Sequence, residues 1–214
     1  MRASLMDDTC VFVVSKEFQA VTRQTRFDLS IFAALAFVML VTRTHSLSQV
    51  VHLPDTSWAS FFVAGYYIRS KLSFPALFLL AFAIDVVMIR VFGTPDFCFT
   101  LAYWTLVPAY GVMWLAGSWA HERLKPVTAS LPMLLALVCG ATLGAELISS
   151  GGFYALGGRF ADPTFSGFLP RLARYFPFTL EATLLWTALA VVCHAMVLWL
   201  RPDLLPSAVK ARDQ

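Results

Sequence analysis

Two residues stand out for the chemistry their type and surroundings allow. Cys98 ends the stretch Gly93-Thr94-Pro95-Asp96-Phe97-Cys98. Thr94 suits the N-cap of a helix and Pro95 its first position. That pattern puts Cys98 in the first helical turn, where the positive end of the helix dipole stabilises a thiolate. A thiolate is a soft metal ligand and a nucleophile. The plain alternative is that Cys98 packs as a small apolar residue between Phe97 and Phe99. Asp85 is the second. It lies within an apolar stretch, about 10 Å below the outer end of its helix at 1.5 Å per residue. A carboxylate at that depth is costly unless paired or hydrated, and it marks a functional site by default. Arg90 is about 140° away round the same helix, so Arg171 or Arg174 is the expected partner.

Other polar residues invite blander readings. Glu146 lies one turn from the outer end of the fifth helix. Glu181 opens the sixth, where an acid suits a helix N-terminus. Cys139 and Cys193 read as small buried residues within helices. Cys10 falls on the cytoplasmic side.

The elements that must position these groups follow from composition. Of 214 residues, 58% are apolar and 14% charged, against about 25% charged in an average soluble domain. Mean hydropathy is +0.70. These values exclude a disordered chain, a secreted disulfide scaffold and an ordinary soluble enzyme. The net charge of +3 fits basic cytoplasmic loops rather than a nucleic-acid partner.

A spanning helix needs about 20 mostly apolar residues. Six candidates result, at residues 26–44, 57–68, 74–92, 95–120, 131–150 and 179–200. The second is too short to cross fully. With the N-terminus in the cytoplasm, Arg2, Lys16, Arg23, Arg26, Arg69, Lys71, Arg123, Lys125, Arg201, Lys210 and Arg212 lie inside. Only Arg43, Arg90, Arg159, Arg171 and Arg174 lie outside. Six spans with both termini cytoplasmic therefore satisfy the positive-inside rule. The chain divides into an N-terminal cytoplasmic extension (1–25), a six-helix membrane domain (26–200) and a cytoplasmic tail (201–214). Outer connections fall near His45, His52 and Asp55, at 93–96, and over the long Gly- and aromatic-rich segment 151–178, which could fold over a ligand. Gly140 and Gly144, four apart, allow close helix packing.

Six spans in a chain of this length, a short second helix and outer loops enclosing a site resemble the substrate-binding S-components of energy-coupling-factor (ECF) vitamin transporters. A narrower pattern covers residues 26–200. Asp85, Cys98 twelve residues beyond the next, Tyr103 after four more, and Arg171 in the last outer loop resemble the BtuM family, cobalamin transporters of S-component-like fold in proteobacterial inner membranes. The resemblance implies that Cys98 coordinates the cobalt of cobalamin (vitamin B12) and displaces cyanide from cyanocobalamin, a reductive decyanation. It implies that Asp85, Tyr103 and Arg171 line or brace the pocket. His45 or His52 could offer another cobalt ligand. The protein needs no cofactor of its own, and cobalamin is its bound substrate. Helix one reads Ile31-Phe-Ala33-Ala34-Leu-Ala36-Phe37, with no alanines four apart, which fits transport without a dedicated ECF module.

Four alternatives remain, a structural or assembly protein without a ligand among them. One is an S-component for another vitamin or cofactor precursor that uses a shared ECF module. Another is an intramembrane hydrolase built on Ser150 and His194, disfavoured because His194 lies about 22 Å down its helix at 1.5 Å per residue. A thiol oxidoreductase lacks a second outer cysteine.

Overall fold

Apolar runs of this length become helices because lipid offers no partner to a free backbone N–H or C=O. The computed structural model describes residues 2–44, 53–95, 99–124 and 130–200, with backbone alone for 2–21 and 23. Among these the architecture is all-helical: α1 (Arg2–Arg43), α2 (Ser57–Tyr67), α3 (Ser73–Arg90), a short 3-10 helix (Leu101–Thr105), α4 (Leu106–Arg123), α5 (Leu131–Leu156) and α6 (Phe165–Leu200). Four segments are long and apolar enough to cross a membrane: Gln24–Arg43, Ser73–Arg90, Leu131–Leu156 and Phe165–Leu200. At most 33% of the most apolar window of any of them is buried inside the protein. Leu79, Leu135, Leu185, Val192 and Met196 point outward, an arrangement stable in lipid and not in water.

Helix α2 is the opposite case. It has 11 residues, and Ser57, Ala59 to Gly65 among them are buried. It packs backbone to backbone against α4. A Cβ on Gly117 would sit 2.0 Å from the carbonyl oxygen of Phe62, and one on Gly65 2.0 Å from that of Trp114. Phe61 then stacks on Tyr110 with ring centroids 4.3 Å apart. The lead-in to α2 is fixed from two sides. The Trp186 Nε1–H of α6 donates to the Pro54 carbonyl at 3.0 Å, and Thr42 of α1 shares a 3.1 Å hydrogen bond with Thr56.

Several boundaries differ from expectation. The close glycine contact is not at Gly140 and Gly144: nothing lies within 4 Å of a Cβ on Gly140, and Gly144 meets only Val112 at 3.8 Å. The fourth helix does not begin at Pro95. Gly93 takes φ +66°, and the Thr94 N–H turns back to the Met88 carbonyl at 3.2 Å. Thr94 therefore closes α3 instead of opening α4. Among the described residues the next cap is Thr100, whose hydroxyl accepts the Ala102 N–H at 3.3 Å, and the 3-10 helix begins at Leu101. Cys98 itself lies outside the described residues. The expected long outer loop is mostly helix, and only residues 157–164 connect α5 to α6. Gly152 is in α5 because the helix presses on the 3-10 segment, with a Cβ there 2.4 Å from Thr105. Pro170 and Pro177 are tolerated inside α6, and Glu181 lies well along that helix rather than at its start.

Replacing Gly117 by Ala must force α2 and α4 apart, at a cost of about 1–3 kcal/mol. Thermal unfolding in detergent is expected to show a lower midpoint for Gly117→Ala and an unchanged or higher one for Gly140→Ala.

Candidate functional site

The functional candidates gather around the end of α1. Arg43 is the last residue of that helix, where a cation also suits the dipole. Its Nε–H donates to Asp85 Oδ1 at 2.6 Å and its Nη2 to Asp85 Oδ2 at 2.7 Å. This is a bidentate pair, the strongest geometry for arginine and carboxylate. Its Nη1 donates to the Ser57 hydroxyl at 2.7 Å and to the Tyr110 hydroxyl at 3.0 Å, with Asp55 3.7 Å away. The Tyr103 hydroxyl donates to Asp85 Oδ2 at 2.8 Å. The Ser57 hydroxyl donates to Asp55 Oδ1 at 2.8 Å. One guanidinium thus ties α1 to α2, α3 and α4, with the 3-10 helix joined through Asp85. The side chains of Arg43 and Asp85 are 13% and 20% exposed, so neither charge is solvated freely.

This corrects the expected pairing. Asp85 is neutralised by Arg43, not by Arg171 or Arg174. Arg43 was counted only as an outer-loop charge, yet it follows directly on the apolar run of α1. It has to sit at the same level as Asp85, one to two turns before the C-terminal end of α3.

A cavity of about 680 Å³ opens beside this cluster, within the usual range of ligand pockets, roughly 300–1,000 Å³. One side carries Arg43, Asp55, Trp58, Asp85, Tyr103 and Tyr110. The other carries Glu146, Ser149, Ser150, Phe153, Arg171 and Tyr175. Asp85, Tyr103 and Arg171 therefore line one space. Pro95 and Phe99 line it too, and these residues flank the segment that contains Cys98. His45 and His52, like Cys98, lie outside the described residues.

Arg171 sits on an aromatic shelf. Its guanidinium carbon is 4.7 Å from the Phe160 ring centre and 5.6 Å from that of Tyr175. Tyr154 backs Phe160 at 4.5 Å and Phe168 at 5.8 Å. The aromatic residues of the connection thus hold an arginine in place. Arg174 lies 5.8 Å from the Tyr175 ring centre and is not part of the cavity wall.

Glu146 was read only as a group near a helix end. It is 5% exposed, lines the cavity and accepts a hydrogen bond from Ser150. Its place one turn before the Ser149-Ser150 pair on one helix was the available signal, since residues three and four apart share a face. Ser150 and His194 do not meet: Ser150 lines this cavity, whereas His194 lies against Tyr67 with rings 5.6 Å apart in another, small pocket. The hydrolase dyad is not formed.

No protein-family model and no curated protein sequence matches the chain.

Removing one partner of a buried ion pair leaves an uncompensated charge, which costs about 3–5 kcal/mol. Arg43→Met is expected to lower the unfolding midpoint in detergent steeply, and Arg43→Met with Asp85→Leu to recover much of that loss. A double variant no better than the single one would deny the pair its structural role.

Proposed function

We propose that the protein takes up cobalamin across a bacterial inner membrane, binding the corrinoid in the outer cavity with Cys98 as an axial ligand to its cobalt. One observation carries the reading. Asp85, Tyr103 and Arg171, chosen from their spacing with Cys98, line a single cavity, and both flanks of the Cys98 segment line it as well. Residues so far apart in sequence have no local reason to converge. The cobalt belongs to the substrate. A thiolate of Cys98 supplies the soft donor that cobalt accepts.

The proposed topology has six membrane crossings, with both termini cytoplasmic and the cavity opening to the periplasm. The division of basic residues, eleven inside and five outside, supports it. Helix α4 has 18 residues, about 27 Å at 1.5 Å per residue, and so nearly matches a hydrocarbon core of about 30 Å. Helix α2 crosses only in part. Buried as it is, it needs no lipid-facing length. The protein is proposed to act without a dedicated ECF module, on the ground that Ala33, Ala34 and Ala36 of α1 include no pair four apart.

Protein purified from cells fed cyanocobalamin is expected to carry a bound corrinoid visible by absorbance. Cys98→Ala is expected to shift that spectrum, because the axial ligand changes. A colourless preparation that binds no added corrinoid would sink the proposal.

A further inference from the structure

We propose that corrinoid recognition rests on the α5–α6 wall, where Glu146 and Arg171 read the carboxamide groups at the rim of the corrin ring. The Arg43–Asp85–Tyr103 cluster opposite is a scaffold that positions the cavity. This assignment rests on the cobalamin reading and goes beyond it.

The two sides of the cavity differ in what they have left to offer. Arg43 uses four of its five N–H donors on Asp85, Ser57 and Tyr110. Asp85 receives Arg43 on both oxygens and Tyr103 on one of them. To bind a ligand, either group must first break a bidentate bond in a half-buried place, which is costly. Nothing comparable holds the other wall. Among the described residues, the Glu146 carboxyl has Ser150 as its hydrogen-bond partner and takes part in no ion pair. Arg171 has contacts with the Phe160 and Tyr175 rings and, among the described residues, no ion pair or hydrogen bond. Both line the same cavity.

An ionised carboxylate can only accept and a guanidinium can only donate. A ligand that satisfies both presents N–H donors and carbonyl acceptors together. A primary carboxamide does so within one group, and the corrin rim of cobalamin carries several. A rim carboxylate satisfies Arg171 but meets Glu146 as a like charge. That repulsion makes the wall selective against acid forms of the ring as well as favourable to amides.

Two probes separate these roles: cobinamide, and the same corrin ring with its rim amides hydrolysed to carboxylic acids. Binding to the purified full chain is followed by absorbance titration. The native protein is expected to bind the amide form at least about tenfold more tightly, the scale of one hydrogen bond to a charged group. Glu146→Gln retains an acceptor for Ser150 and adds an N–H donor. It is expected to raise the affinity for the acid form about tenfold, a gain that misfolding does not produce. Equal native affinity for both probes, or an unchanged ratio in Glu146→Gln, overturns the assignment and leaves the cobalamin reading standing. A native chain that binds cobalamin but neither probe overturns the assignment alone, and one that binds none of the three removes both.

Discussion

The structure depends on one ion pair. Arg43 and Asp85 are two opposite charges near one end of an apolar bundle, and each would be untenable there alone. Burying them carries a large desolvation cost, offset only when geometry and extra hydrogen bonds are good. Here both conditions hold, because the contact is bidentate and Ser57, Tyr110 and Tyr103 take up remaining donors and lone pairs. The pair therefore acts less as a source of stability than as a register mark. Only one relative height and rotation of α1 and α3 lets the two side chains meet in this way, and Tyr103 and Tyr110 extend the same condition to the start of α4.

That condition also explains the cavity. Helix α2 begins at Ser57, and the chain before it, Pro54 to Thr56, is held by Trp186 and Thr42. A helix of 11 residues cannot fill the bundle from end to end. The space beyond its N-terminus is lined by Asp55 and Trp58 below and by α5 and α6 across from them. The close glycine contacts hold α2 against α4. The polar cluster of Arg43, Asp85 and Tyr103 on one wall is tied by several hydrogen bonds, whereas Glu146 across from it has Ser150 as its partner among the described residues.

Much of this was legible in the sequence, for reasons that can be named. The starts of α2, α3 and α5 were readable because Ser57, Ser73 and the Leu131-Pro132 step mark sharp transitions into apolar runs. Asp85 was readable because a lone acid in such a run is expensive. Its partner was not. Helical periodicity gives angles within one helix but not the rotation of one helix against another, so Arg43 was indistinguishable from a loop charge. The starts of α4 and α6 were misread because Thr94-Pro95 and the Gly- and aromatic-rich stretch carry signals that tertiary contacts override. Thr94 is drawn back to Met88, and Gly152 serves packing against Thr105 rather than a turn. Glu146 was missed because a carboxyl near a helix end has an ordinary explanation until a cavity is seen beside it.

The most direct measurement is an experimental structure of the full chain loaded with cobalamin. The account predicts a corrin ring in the outer cavity with its cobalt on the Cys98 sulfur, its rim against Glu146 and Arg171, and the Arg43–Asp85 pair intact. A ring seated elsewhere, or an Asp85 released from Arg43 to hold the ligand, would contradict it.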